Sequence, residues 1–411
     1  MPPHPLRTRS FRLLFAGRTL SLLGDAVIPA ALALAVYEAT GSTGALALVL
    51  ACAVIPKLLL LPLGGVAGDR FNARTVALVT DVVRCLSQLL VGVELLSGEP
   101  RLWHIAVAEA IGGAAGAFAM PTVSPLITGT VQEAGRQKAN ALMGIAQSAT
   151  RLGGPALAGV LIYTVGPGWA FVLDGASFAV SALLLAAVRV RRVPIEHRSL
   201  LADLKEGWGE VRSRDWYWTS LVAHAAWNGA AAVLMTLGPA IAVSELGGPG
   251  AWIAMLQTGA VGLLLGSLAA SRARPKRPVL MANLGLATYA LPLGLLALSA
   301  PAPLTIAAYG VAQAGLGFLS PIWETAVQQA IPAHALARVT SYDWLLSLGA
   351  MPLGYALAPP VAAAWGPAVP LAVAAVVVGV ACAGTAAVPG VRRFGAGPPR
   401  LEHVQNEVYS P

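Results

Sequence analysis

Asp25 and Arg151 are a carboxylate and a guanidinium set inside stretches that are otherwise apolar, SLLGDAVIPAALALAV and IAQSATRLGGPALAGVLIY. Ionised groups in such surroundings are costly and are retained where they bind, pair or move charge. A carboxylate there can take up a proton or hold a cation, and its proton affinity responds both to burial and to a nearby guanidinium. At 1.5 Å per residue, Asp25 and Arg151 both lie roughly 20 Å from the basic ends of their helices, so similar depth invites pairing. The pair has two readings: a proton-coupling or cation-binding site in which Arg151 is partner or gate, and a static ion pair that fixes helix packing. Glu109 is the second candidate for coupling. Asp81 and Arg84 are three residues apart, on one helical face, and are expected to pair with each other. Glu109 and Asp174 fall a few residues inside the opposite surface, where hydration and helix anchoring suffice. Asp343 and Glu324 fall near helix ends and read as capping or gate contacts. His224 and Asn228, one turn apart, are candidates to line a cavity or to form a satisfied polar pair. Trp227, Tyr289, Tyr309, Phe318 and Trp323 offer rings for stacking on a ligand or for ordinary packing.

The elements that must position these groups follow from the apolar runs. The chain has 411 residues, 56% hydrophobic and 11% charged, against roughly 25% charged in soluble domains. Runs of about 20 apolar residues, each long enough to cross a bilayer core of roughly 30 Å, recur along it. Helices alone close their backbone hydrogen bonds span by span, so the expected fold is an all-α, polytopic membrane protein. Twelve spans are expected, near 12–38, 44–66, 75–97, 102–127, 138–163, 168–188, 216–243, 250–271, 278–299, 302–327, 338–364 and 367–388. Apart from Arg101, Lys57, Arg84 and Arg151, every Lys and Arg falls in loops on one side of this map. The positive-inside rule then places both termini in the cytoplasm and the protein in the inner or plasma membrane. The N-terminal apolar run continues past Asp25 and reads as a retained first span rather than a cleaved leader.

The chain divides into residues 1–190, a bundle of six spans; 191–215, a linker; 216–390, a second bundle of six; and 391–411, a tail. Within the linker, Leu200, Leu201, Leu204, Trp208 and Val211 recur at helical spacing opposite charged residues, the pattern of a connector helix lying at the membrane surface. The halves repeat each other. With a shift of 200, Phe118 meets Phe318, Pro121 meets Pro321, Lys138 meets Arg338 and Gly154 meets Gly354. Duplicated bundles with a binding site between them near the midplane are a transporter architecture. Gly112/Gly116 and Gly262/Gly266 are GxxxG pairs that allow close helix approach.

Between the second and third spans lies GGVAGDRFNARTV (64–76). Its order of Gly65, Asp69, Arg70 and Arg74 resembles the signature loop of the major facilitator superfamily at the same place. Asn72 stands where glycine is usual, and Asn tolerates a left-handed turn. The resemblance implies that Gly65, Asp69, Arg70 and Arg74 form a cytoplasmic gate motif, latching the two halves in the outward-facing state. The equivalent loop of the second half, Gly266 to Arg274, lacks the aspartate, so the latch would be one-sided. SLLGD (21–25), TGS (40–42), GGPALAG (153–159) and FVLDGASFAVSALLL (171–185) further resemble the drug:proton antiporters that include macrolide efflux pumps and enterobactin exporters. Glu109 departs from that pattern, standing four residues before Gly113 where such antiporters often carry arginine.

This resemblance implies proton-coupled export of small amphiphilic molecules by alternating access. The alternatives are proton-coupled uptake of a nutrient or metabolite, and a non-transporting sensor or scramblase on the same fold. Partners on this reading are a small-molecule substrate, protons and the lipid bilayer, with no nucleic acid despite the net charge of +8, and the chain is expected to be monomeric. No GxxxxGK[ST], HExxH or GxSxG motif occurs, and no cofactor or metal is expected. Cys52, Cys85 and Cys382 each fall in an apolar run and read as small hydrophobes rather than disulfide partners or ligands.

Overall fold

The computed structural model describes residues 5–132, 135–188, 208–273, 275–331 and 336–395, and among them there are helices and no strand. The first half comprises α1 (Arg9–Thr40), α2 (Thr43–Arg70), α3 (Ala73–Leu96), α4 (Leu102–Ala119), α5 (Val123–Thr130), α6 (Arg136–Thr164) and α7 (Gly168–Ala187). The second comprises α8 (Asp215–Ser244), α9 (Pro249–Arg272), α10 (Pro278–Ala287), α11 (Ala290–Ala297), α12 (Ala302–Ala330), α13 (Leu336–Leu348), α14 (Met351–Trp365), α15 (Ala368–Gly384) and the short α16 (Pro389–Arg393). Three of the expected spans are interrupted. A 3-10 turn at Met120–Thr122 joins α4 to α5, Thr288 and Tyr289 separate α10 from α11, and Gly349 and Ala350 separate α13 from α14. Among the described residues, 11 helices are long and apolar enough to cross a membrane. The twelfth expected span is α6, long enough at 29 residues but polar through RQKANALMGIAQSATR. Residues 191–207 of the linker, with Leu200, Leu201 and Leu204, lie outside the described residues; 208–212 are helical.

Helices α1 to α7 pack chiefly on one another, as do α8 to α15. The duplication read from the sequence has a packing counterpart. Gly154 on α6 lies against α1, where a Cβ would stand 2.5 Å from the Ala26 carbonyl oxygen; its mate Gly354 on α14 lies against α8, 2.5 Å from the Gly229 oxygen. Both positions thus need glycine for the same close approach. Of the GxxxG pairs, Gly262 and Gly266 do bring α9 onto α12, whereas in α4 the close approach is made by Gly113 against Ala53, with Gly112 and Gly116 open by comparison.

The halves touch through α2 with α14 and α6 with α9. Their close contacts lie toward the end away from the termini. Gln257 Nε2 donates to the Leu152 oxygen at 3.2 Å, and Gly159 and Tyr163 meet Ile253 and Gly250 further along. Gly44 lies against Pro359, and Ala47, Ala232 and Tyr355 form a small apolar core across the halves. Nearer the termini the same helices part, and Gly144, Ile145, Ser148 and Ala149 of α6 line a groove whose other wall is Leu264 of α9.

The signature loop is built differently from its expected turn. The α2 helix runs through to Arg70, and the side chains of Gly65, Asp69 and Arg70 lie outside the described residues. Asn72 is extended (φ −65°, ψ 117°) rather than left-handed, and its Oδ1 accepts from Arg74 N at 3.0 Å. It is the N-cap of α3, which satisfies an amide that the first helical turn leaves without a partner. Arg74 Nε donates to the Leu185 oxygen at 2.9 Å, and Arg74 also bonds the Ala186 oxygen. A cation so fixed to the last carbonyls of α7 meets the negative end of that helix. Arg74 therefore binds within its own half in this state.

At the far end of the chain, Asp215 at the start of α8 accepts from Trp216 N at 2.7 Å and from Gly390 N at 3.1 Å. Phe394, just past α16, packs on the Trp216 ring with centroids 4.5 Å apart.

Candidate functional site

The polar face of α3 is the foundation of the first site. Thr80, Asp81, Arg84, Ser87 and Gln88 share one stripe of an otherwise apolar helix, and α7 answers with Asp174, Ser177 and Ser181 at spacings of three and four. These stripes face each other and α1. Arg84 forms an ion pair with Asp25, their side chains 18% and 36% exposed, and its guanidinium lies 4.1 Å from the Phe178 ring centroid. Gly24 has no side chain in the way of Asp174: a Cβ there would stand 2.2 Å from Asp174 Oδ1. Asp174 is fully buried, with Oδ1 3.4 Å from the Ser177 hydroxyl and Oδ2 without a partner among the described residues. Glu109, 7% exposed, also has one oxygen without a partner among the described residues. Asp81 accepts from Ser181 Oγ at 2.7 Å. Arg18 and Lys57 lie within electrostatic range of Asp25, and Arg84 within range of Asp174 and Asp81.

Several expectations are corrected here. Asp25 pairs with Arg84, not Arg151, because α3 rather than α6 presents its cation to that face of α1. Asp81 and Arg84 share a stripe as expected, but Asp81 turns to Ser181 and leaves Arg84 for Asp25. Glu109 and Asp174 are buried in this cluster rather than hydrated near a surface. Arg18, assigned by the sequence to a basic loop, belongs to α1 and faces the same cluster.

The second site is a cavity of about 490 Å³ at the parting of the halves. Arg151 of α6 is the contribution of the first half, and α8, α10, α12 and α13 supply the rest. His224 and Asn228 line it, but they do not pair through their side chains: Asn228 Nδ2 donates to the His224 backbone oxygen at 2.9 Å. His224 packs edge-on against Trp323 with centroids 4.7 Å apart, and its buried Nε2 has no hydrogen-bond partner among the described residues. Asp343 is held by three neutral donors: Trp323 Nε1 at 2.5 Å, Tyr217 OH at 3.4 Å and Ser347 Oγ at 3.0 Å. Asp343 and Glu324, expected to cap helices or gate, instead line this cavity with Trp227 and Trp344. The missed signal was the spacing of Asp343 and Ser347 on the helix that packs on α8.

Two duplicated groups of membrane-length helices, touching at one end and parted around a cavity with a few charged groups at the other, are the form of an alternating-access transporter. A family profile described as "Major Facilitator Superfamily" matches residues 14–347. The chain belongs to the Major Facilitator Superfamily. Members of that superfamily are membrane transporters of small molecules rather than enzymes.

Relatives within the superfamily are distant. The MFS-type transporters YfiS and YvqJ of Bacillus subtilis (strain 168) are 26% identical over 201 residues and 24% identical over 249. These matches cover 47% and 58% of this chain, and the chain spans only 47% and 59% of those relatives. The multidrug efflux pump Tap of Mycolicibacterium fortuitum is 25% identical over 373 residues, covering 86% of this chain and 89% of Tap. Among solved structures, the nucleoside transporter NupG superposes with TM-score 0.73 at 13% identity, over 91% of this chain and 99% of that one. A bacterial homolog of the human lysosomal transporter Spinster, in an inward-facing and unoccupied conformation, superposes with TM-score 0.71 at 14% identity, over 94% and 97%. At such identities the superposition establishes the fold alone.

Proposed function

We propose that this superfamily member is a proton-coupled exporter of small amphiphilic molecules that works by alternating access. The observation that carries the coupling is the Asp25–Arg84 ion pair flanked by the buried carboxylates of Asp174 and Glu109, each with an oxygen lacking a partner. Among the described residues, Asp25, Asp81, Glu109 and Asp174 face the cations Arg18, Lys57 and Arg84, so the cluster is one positive charge short. A buried carboxylate without compensation is expensive. A proton or small cation supplies the missing charge. Asp25 is the most accessible acid of this cluster and is the group proposed to exchange it, with Glu109 as a second.

The cluster has a mechanical outlet. Ala26, next to Asp25, bears directly on Gly154 of α6, and one turn before Gly154 the same helix presents Arg151 to the cavity. A change of charge at Asp25 that shifts α1 is therefore transmitted to a side chain facing the substrate space. On this reading Arg151, His224 and Asn228 belong to substrate handling, while Gly65, Asp69, Arg70 and Arg74 form the gate at the end bearing the termini. Export rather than uptake is supported by the resemblance to Tap over most of both chains.

The test is flux of amphiphilic dyes and antibiotics in cells and in proteoliposomes, with and without a pH gradient. Export that collapses with an uncoupler, and that loses its dependence on the gradient in Asp25→Asn, is the expected result. Undiminished gradient-driven transport by Asp25→Asn overturns the coupling assignment, and uncoupler-sensitive accumulation in place of depletion overturns the direction.

A further inference from the structure

The cavity between the halves is electrically divided in a way the coupling cluster does not explain. On the first-half wall stands Arg151, and among the described residues no carboxylate forms an ion pair with it. On the second-half wall stand Asp343 and Glu324, also without a cationic partner among the described residues. Asp343 is not floppy: Trp323, Tyr217 and Ser347 all donate to it, fixing a carboxylate beside the rim of an aromatic ring. The same second-half wall carries Trp227 and Trp323, and His224, 6% exposed, has an Nε2 with no hydrogen-bond partner among the described residues. A volume of about 490 Å³ is that of a drug-sized site, whose usual character is an apolar body with a few converging polar groups.

Opposite charges held apart across one cavity are not stabilised by each other, and each awaits a partner of the other sign. A purely cationic ligand answers only the second-half wall, and a purely anionic one only Arg151. We propose that the cavity binds zwitterionic aromatic molecules, with an ammonium group toward Asp343 and Glu324 and an anionic oxygen toward Arg151. The guanidinium fork suits a carboxylate or enolate. The indole faces of Trp227 and Trp323 suit the aromatic body and the approach of the ammonium group. Such a ligand bridges the two halves by its own charges, so its arrival draws α6 and α13 toward each other. This inference rests on the transporter reading but concerns what the cavity recognises, independently of which ion drives the cycle.

The test is equilibrium binding to the purified full-length protein in detergent, followed by tryptophan fluorescence and calorimetry with no ion gradient. Three probes share one planar body: norfloxacin, which carries a piperazine ammonium and a carboxylate at opposite ends, its ethyl ester, which keeps only the cation, and its N-acetyl derivative, which keeps only the anion. Norfloxacin is expected to bind about tenfold or more tighter than either, the worth of one charge-assisted hydrogen bond. Arg151→Gln should bring norfloxacin down to the ester and leave the ester unchanged, whereas Asp343→Asn should bring it down to the N-acetyl compound. Arg151→Lys, which keeps the charge, should retain most of the preference and guards against loss of fold in the Gln variant, as does the gel-filtration profile. Equal binding of norfloxacin and its ester, an equal effect of Arg151→Gln on both, or no saturable binding of any probe overturns the proposal. Each of these outcomes leaves the gradient dependence measured for Asp25→Asn untouched, so the two readings fail separately.

Discussion

Replacing Arg84 by Gln and Asp25 by Asn should destabilise the protein unequally, and the inequality follows from what each cation and anion faces. Asp25→Asn removes one carboxylate and leaves Arg84 over the Phe178 ring and within range of Asp174 and Asp81. Among the described residues, Arg84→Gln leaves Asp25, Asp174, Asp81 and Glu109 with only Arg18 and Lys57 as nearby cations. Orphaning one member of a buried pair costs roughly 3–5 kcal/mol. The side chains of Arg84 and Asp25 are 18% and 36% exposed, so solvent screening brings the expectation to about 2–3 kcal/mol for Arg84→Gln. Loss of the cation–π contact adds about 0.5–1 kcal/mol. Asp25→Asn, which relieves the excess of carboxylates, should cost about 1 kcal/mol or less. The double variant should lie about 1 kcal/mol or more closer to wild type than the sum of the singles, as interacting pairs do. Reversible unfolding in mixed micelles, read by tryptophan fluorescence, measures all four corners of this cycle. Equal losses for the two single variants with strict additivity would show that Arg84 is not the hub of the cluster, and would refute the charge count on which coupling rests.

Other consequences are simpler to check. A Cβ at position 44 would stand 3.8 Å from Pro359 Cβ, close to the mean disulfide spacing of about 3.8 Å; in a background with Cys52, Cys85 and Cys382 replaced by Ala, the pair Gly44→Cys and Pro359→Cys should cross-link spontaneously and stop transport until reduced, and failure to cross-link would contradict the closed end described here. Asn72→Ala should cost about 1 kcal/mol and Asn72→Gly only a few tenths, the pattern of an N-cap; stabilisation by Gly would instead restore the left-handed turn. Gly154→Ala and Gly354→Ala should each destabilise by about 1–3 kcal/mol through forced separation of α6 from α1 and of α14 from α8, and a neutral result at either would break the equivalence of the two repeats. Arg74→Ala should lower stability by about 1 kcal/mol through the carbonyls of α7, with Arg74→Lys in between, measured by thermal unfolding.

The architecture was legible because bilayer thickness writes itself into the sequence as run length, and duplication writes itself as a fixed shift. Gly154 and Gly354 show how far that reaches: the shift of 200 found them as mates, and each fills the same structural need. Depth was legible too, which is why Asp25 stood out. Azimuth was not. Asp25 and Arg151 share a height, but height along an axis does not say which neighbour a helix faces, and Arg84 on α3 was the cation turned toward α1. The stripes on α3 and α7 held that information as polar residues recurring at three and four, a signal overshadowed by reading each charge singly. Asp343 was misjudged for a related reason: the interruption between α13 and α14 at Gly349 and Ala350 alters what a position near a helix end means, and it is not visible in an apolar run. Asn72 fell to a local rule, since the cap it provides required knowing that α2 continues unbroken to Arg70.

The clasp between Asp215 and Gly390 gives α16, the last described helix, an unexpected duty. Phe394 covers Trp216, Trp216 packs edge-on against Trp323 at 5.6 Å, and Trp323 holds the cavity carboxylate. Phe394 is thus part of a back wall for the ligand chamber, with the single ring of Trp216 between it and the cavity-lining Trp323. Trimming the protein at residue 388, though it spares every span, would unseat that wall, whereas an appendage added beyond 395 leaves it standing.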